Sequence, residues 1–223
     1  MKLMAIMGSP RGMRGNTGKL LDPLLRAVAD EGADVDGYSL NVMDIQPCRS
    51  CDLCHKTGNC AIRDDFSAAK EAMLECDGII LASPNYISSV TAQMKALMDR
   101  CCGLLHCQSL SGKYAVAVVT SGGPESREVE EYMLRFLRAL GCITVGSIGT
   151  EAWRLGRPAD MEELANASGK LGRRLVEAIR TQEAFADQER EHQATAERMR
   201  RLVELHSREW AYEYECWQGR RHR

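Results

Sequence analysis

The stretch KLMAIMGSPRGMRGNTGKLLDPLLRAV, residues 2–28, decides the architecture. Its first six residues are almost wholly apolar and stop at Gly8, as expected of a short strand buried on both faces of a parallel sheet. A glycine-rich loop follows. Beyond it Leu20, Leu21, Leu24, Leu25 and Val28 recur on a helical period, which predicts a helix over about residues 17–31. Asn16 and Thr17 are each able to cap that helix, and Pro23 falls within its first turns, where proline costs least.

The same strand, loop and helix pattern repeats along the chain. Val35–Leu40 reads as a second strand, and Asp64 or Asp65 then starts a helix through Phe66, Ala69, Met73 and Leu74. DGIILASP (77–84) is the clearest central strand, followed by a turn and a helix with Val90, Met94, Leu97 and Met98 on one face. KYAVAVVTSGG (113–123) supplies a fourth strand and CITVGSIGT (142–150) a fifth, separated by a helix over about 125–140. A helix from about Pro158 to Ile179 closes the series. Strands alternating with helices at this spacing imply an α/β fold, a doubly wound parallel sheet of five strands covered on both faces. In such sheets ligands bind beyond the carboxyl ends of the strands, near the reversal of strand order.

Composition limits the function. A chain of 223 residues holds one domain with its own core and an appendage. The net charge of -2 offers no basic field for nucleic acid or an anionic membrane, so small soluble partners are expected. The N-terminal apolar run is too short for a secretory or membrane-spanning segment, and a cytoplasmic location is expected. The ten cysteines are therefore expected to be thiols and metal ligands. Cys76, Cys142 and Cys216 read as small buried hydrophobes, and Cys101, Cys102 and Cys107 as packing residues at a helix end.

Three loops follow strands at the predicted ligand edge. In GSPRGMRGNT (8–17), backbone N–H groups at a helix start, the donors Ser9, Asn16 and Thr17, and the charges of Arg11 and Arg14 suit a phosphate. A triphosphate loop would need Gly at 13 and Ser or Thr at 20, which are Met13 and Leu20. The dinucleotide pattern is also missing, because Gly12, Gly15 and Gly18 are spaced by threes. A monophosphate remains, which in this architecture suggests FMN. SPNYIS (83–88) brings Asn85 and Tyr86 to the edge where an isoalloxazine would lie, and TSGGPES (120–126) allows close backbone approach through two glycines.

The most unusual stretch is CRSCDLCHKTGNC (48–60), with Cys48, Cys51, Cys54 and Cys60 at C-x2-C-x2-C-x5-C spacing. Three closely spaced thiolates and a fourth a short loop later match compact [4Fe-4S] runs. The competing readings are a four-cysteine structural zinc site, which usually splits its ligands into two pairs, and thiols that hold no metal. His55, inside the run, reads as an exposed loop histidine or as a hydrogen-bond donor that tunes a cluster. No Ser-His-Asp or paired-carboxylate arrangement is evident, and no catalytic side chain is expected beyond the flavin.

GSPRGMRGNT, IQPCRSCDLCHKTGNCAIRDDF (45–66), SPNYISSVTAQMKALMDR (83–100) and TSGG (120–123), in that order, closely resemble the flavodoxin-like NADPH-dependent FMN reductases, and within them the iron-sulfur flavoproteins. The resemblance covers about residues 1–150, and the ending WAYEYECW (210–217) also resembles the chain end of several such proteins. It implies strand order 2-1-3-4-5 and an FMN phosphate on Ser9, Arg11 or Arg14, Gly15, Asn16 and Thr17. It implies a flavin ring against Pro84, Asn85, Tyr86 and Ile87, with Ser121, Gly122 and Gly123 nearby, and a [4Fe-4S] cluster on Cys48, Cys51, Cys54 and Cys60. It further implies NAD(P)H as a possible donor, a small or ferredoxin-like redox partner, and a homodimer or homotetramer. The expected function is an FMN-dependent oxidoreductase passing electrons between flavin, cluster and acceptor. The alternatives are a cluster-free NAD(P)H-dependent FMN or quinone reductase and a flavodoxin-like electron carrier.

Residues 1–180 thus form the expected FMN domain with the cysteine loop 48–60, and 181–223 a helical tail. Within that tail, 181–209 contains no Gly or Pro and only a narrow apolar stripe of Met199, Leu202, Val203 and Leu205. So little apolar surface predicts a helix that packs on the domain or a second subunit, read here as an oligomerisation arm.

Overall fold

The computed structural model describes residues 1–221, and side chains as far as residue 219. The last two residues of the predicted tail, 222 and 223, lie outside the described residues. Among the described residues β1 (Lys2–Met7), β2 (Asp34–Ser39), β3 (Gly78–Pro84), β4 (Tyr114–Ser121) and β5 (Ile143–Glu151) form one parallel sheet in the order β2-β1-β3-β4-β5. β1 and β3 pair directly, Leu3 opposite Gly78 and Met7 opposite Ala82, and strand order reverses between them. This is the expected flavodoxin-like arrangement.

Two-residue periodicity divides the core between the two faces of the sheet. Leu3, Ala5, Ile80, Ala82, Val116 and Val118 face α1 (Asn16–Asp30) and α7 (Pro158–Thr181), whose Leu20, Leu24, Val28, Leu175 and Val176 close that layer. The alternate residues Met4, Ile6, Ile79, Leu81, Ala117 and Val119 face the other way. There they meet α3 (Phe66–Glu75), α4 (Ala92–Asp99), α5 (Cys102–His106) and α6 (Ser126–Ala139). Central β4 is buried along its whole length, which explains its unbroken apolar sequence, whereas edge strand β2 keeps Asp34 and Gly37 exposed.

Three local expectations differ from what is observed. Neither Asn16 nor Thr17 caps α1: Gly15 occupies the cap position, and Thr17, already inside the helix, spends its hydroxyl on Thr120. Pro23 sits in the third turn of α1 rather than the first, so the Lys19 carbonyl loses its helical donor; exposed Lys19 leaves that carbonyl near water. The helix expected within 181–209 is shorter than that segment, and a second helix follows it. Left-handed Gln182 ends α7, α8 spans Ala186–Leu205, and α9 spans Ala211–Arg221. Met199 and Val203 of the predicted stripe are buried, but Leu205 is exposed.

Both tail helices pack against the body. Gln188 of α8 acts as a substitute strand at the open edge of β5, its Oε1 accepting from Thr144 N (2.7 Å) and its Nε2 donating to Thr144 O (2.8 Å). α9 packs against α2 (Leu53–Thr57), the single turn inside the cysteine loop.

The cysteine loop is fastened to the sheet by a buried charge. The Arg100 guanidinium, at the end of α4, pairs with Asp64 and donates to Gln46 O (3.2 Å) and Ile62 O (3.3 Å), and both side chains of the pair are shielded from solvent. Burial, the largest influence, pushes the Asp64 carboxyl upward, but the bonds from Arg100 and from the backbone of Gln46 and Phe66 outweigh it and hold the group below the usual carboxylate range. Asp64→Asn is expected to cost about 3–5 kcal/mol in urea unfolding, because it leaves a buried guanidinium without its counter-charge. A depressed carboxyl contributes stability above its unfolded value of about 3.9 and loses it as pH falls through the folded value. The gap between wild type and variant should therefore close in acid.

Candidate functional site

The loops after β1, β3 and β4 are laced together at the carboxyl edge of the sheet. Thr17 Oγ1 and Thr120 Oγ1 lie 2.7 Å apart, Asn85 N donates to Thr120 O (2.7 Å), and Asn85 Nδ2 donates to Ser121 Oγ (3.0 Å). Thr91 caps α4 by accepting from Met94 N and also donates to Gly8 O (2.7 Å), tying the second loop to the first. Gly18 lets the turn Gly12–Arg14 lie on α1, since a Cβ there would stand 2.1 Å from Met13 O. Together the loops enclose a cleft of about 300 Å³.

Ser9, Arg11, Gly15, Asn16, Thr17, Pro84, Asn85, Tyr86, Ser121 and Gly122 all line this cleft, so most of the expected set converges. Arg14, Ile87 and Gly123 are not among its lining residues. Thr120 and Ala152 line it without having been singled out; their only sequence signal is position at the carboxyl ends of β4 and β5. Asn85 Oδ1 is buried at this site with no hydrogen-bond partner in the protein. Ile87 and Ser88 both adopt left-handed φ (50° and 55°), and Ile87 is 100% exposed. A β-branched residue held in that region at the rim of a cleft is strain of the kind found at ligand clamps.

A second cavity, about 180 Å³, is lined by all four cysteines of the run together with His55, Arg100 and Cys102. Ser50 and Asp52 take left-handed φ on either side of Cys51, which curls the chain back so that thiols separated by two residues face one space. Arg100 Nη2 donates to Cys60 Sγ (3.2 Å), and Ser50 N donates to Cys48 Sγ (3.4 Å). No disulfide is formed among the described residues. Four thiols without disulfides, two of them accepting N–H bonds, form a donor set that fits an iron-sulfur cluster.

Two sequence readings change here. His55 is buried rather than an exposed loop residue, because α9 covers it: Glu213 Oε1 accepts from His55 Nδ1 at 2.6 Å, and the Trp210 ring lies 4.6 Å away. Cys102 is more than packing, since its Sγ stands 3.5 Å from His106 Nε2, whereas Cys76, Cys101, Cys107 and Cys142 are buried as expected. Cys216 is only half-buried. Hydrogen bonds from His106 and then His55 bring the Cys102 thiol down to about 6. His55 is pushed up to about 12 by Cys102, Cys54 and Glu213 in turn. Burial opposes charge on His106, yet Cys102 and Glu213 carry it up to about 9. Glu213 lies 158 residues from His55, so no local pattern pointed to it.

A family profile described as NADPH-dependent FMN reductase matches residues 1–152. An iron-sulfur flavoprotein of Archaeoglobus fulgidus is 38% identical over 180 residues, covering 80% of this chain and 80% of that one. The chain belongs to the NADPH-dependent FMN reductase family, among its iron-sulfur flavoproteins. A second iron-sulfur flavoprotein, from Methanocaldococcus jannaschii, is 40% identical over 130 residues, 56% of this chain and 67% of that one. Among solved structures a flavone reductase superposes with a TM-score of 0.65 at 18% identity, covering 81% of this chain and 63% of the other. The NAD(P)H:quinone oxidoreductase of Methanothermobacter marburgensis gives 0.60 at 14% identity, covering 78% and 96%. These two likenesses establish the fold. As a family member this chain is a flavin-dependent oxidoreductase. Among its described residues no helix is long and apolar enough to cross a membrane.

Gly58 has φ +76°, and a Cβ there would lie 2.6 Å from the Tyr212 ring of α9. Gly58→Ala is expected to cost about 1–3 kcal/mol through backbone strain and to loosen α9. Hydrogen exchange should accelerate over residues 53–58 and 211–219, while the amides of β3 and β4 stay protected.

Proposed function

We propose that this chain binds FMN in the carboxyl-edge cleft, holds a [4Fe-4S] cluster on Cys48, Cys51, Cys54 and Cys60, and passes electrons between them and a small or ferredoxin-like acceptor, with NAD(P)H as a possible donor. The observation that carries the reading is the convergence of all four thiols on one cavity in a chain whose loops after β1, β3 and β4 also line a common cleft. When bound, FMN takes up two electrons as hydride and releases them singly, which suits a one-electron iron-sulfur partner.

The chain's own groups bind and orient. Backbone N–H groups at the start of α1, with Ser9, Asn16 and Thr17, are placed to donate to a phosphate, and Arg11 supplies the opposing charge. Asn85 Oδ1 would accept the imide N–H of an isoalloxazine, which accounts for its lack of a partner in the protein. Tyr86 lines the cleft and offers an apolar surface against which a ring would rest, next to the strained Ile87. Arg100 offsets thiolate charge at Cys60. Exposed Met13, Tyr86, Ile87 and Trp153 support a homodimer or homotetramer, with residues 181–223 as a further candidate contact, in a cytoplasmic setting.

Protein purified without oxygen should contain about four iron and four sulfide per chain, as a [4Fe-4S] centre requires, and a visible spectrum before and after dithionite should report flavin and cluster together. Flavin without iron would instead favour the cluster-free reductase. Cys51→Ala is expected to abolish iron while FMN stays bound. Arg11→Ala should weaken FMN about tenfold or more, the loss of one charge-assisted bond, with iron content unchanged. Light scattering that shows a monomer for the full chain would reject the oligomer.

A further inference from the structure

At the wall of the four-cysteine cavity, which His55 and Cys102 help to line, lies a largely buried constellation that the proposed electron path does not use: His55, His106, Cys102 and Glu213. Glu213 is 0% exposed. Its Oε1 accepts from His55 Nδ1 (2.6 Å) and its Oε2 from His106 Nδ1 (2.9 Å). One carboxylate thus engages the same nitrogen of both rings and leaves both Nε2 atoms turned away from it. On that far side stands Cys102, with Sγ 3.5 Å from His106 Nε2, and the ligand atoms of the three residues all lie within 4.8 Å of one another.

The arrangement is preset rather than a chance meeting of polar groups. Cys102 and His106 are the first and last residues of α5, four apart on one helix face. His55 comes from α2, and its ring stacks on His106 at 4.9 Å between centroids, with Trp210 against both. Trp217 Nε1 donates to His106 O (3.0 Å), holding α9 and its Glu213 in place. Histidines that bind metals characteristically give their second nitrogen to a carboxylate, which sets ring orientation and raises ligand basicity. An ion about 2.0–2.1 Å from nitrogen and 2.3 Å from sulfur keeps its donors roughly 3.3–3.7 Å apart, so small side-chain adjustments would complete a site here.

We propose that His55 Nε2, His106 Nε2 and Cys102 Sγ form a three-ligand site for a single divalent zinc ion, with Glu213 as the residue that positions both rings. A mixed nitrogen and sulfur set of tetrahedral reach suits zinc, and three protein ligands leave the fourth position open. Asp52 Oδ1, 3.7 Å from His55 Nε2, stands at the rim of that open position. The site adjoins the four-cysteine set, because His55 and Cys102 also line that cavity, and on binding zinc displaces the protons held on the thiol and on any protonated ring.

Elemental analysis of the anaerobically purified full-length protein, incubated with zinc chloride and then desalted, tests this directly. About one zinc per chain is expected besides the iron, and iron and sulfide in the same sample read the cluster independently. Cys102→Ser and His106→Gln should lose the zinc but keep iron and FMN, and Glu213→Gln should weaken zinc about 10- to 100-fold. Zinc K-edge X-ray absorption on the wild-type protein needs no variant and should show two nitrogens and one sulfur. Absence of zinc overturns the proposal, as does zinc retained in both ligand variants or a first shell of four sulfurs.

Discussion

Parallel strands cannot be joined by hairpins, and much of this molecule follows from that constraint. Each connection must return along a face of the sheet, so helices cover both sides and the central strands β1, β3 and β4 become apolar. The carboxyl ends of β1, β3 and β4 then open on one edge, next to the reversal of strand order. Only there do loops carry Ser9, Asn85 and Ser121 into a common cleft. The cleft and the buried amide of Asn85 are thus consequences of topology as much as of composition.

α4 links the two sites. At its start Thr91 is bonded to Gly8 beside the cleft, and just past its end Arg100 is bonded to Cys60 in the cysteine cavity. A helix of eight residues is about 12 Å long, so the two sites sit at opposite ends of one rigid strut rather than side by side. Arg100 has the more structural part, since its buried charge gathers a loop that has little apolar surface of its own.

The tail closes the other side of that loop. Gln188 completes the edge of β5, Tyr212 packs on Gly58, and Glu213 receives the two histidines. A segment whose sequence shows only a narrow apolar stripe is therefore held through polar groups. That is why its apolar pattern understated its engagement with the body.

Sequence alone determined the strands, their alternation with helices, the phosphate-type loop and the cysteine spacing, because periodicity, glycine placement and ligand spacing are local properties of the chain. Ten of the thirteen expected flavin-site residues line one cleft for the same reason: each sits at the end of a readable strand, on the loop that follows it or at the start of the next helix. The tertiary structure decided which arginine lines the cleft, that Thr17 faces Thr120 rather than capping a helix, and that His55 is buried. It also brought Glu213 to His55 and His106 across 158 and 107 residues. Burying a charge demands a partner of opposite sign at hydrogen-bond distance, but nothing in that demand says where along the chain the partner must lie.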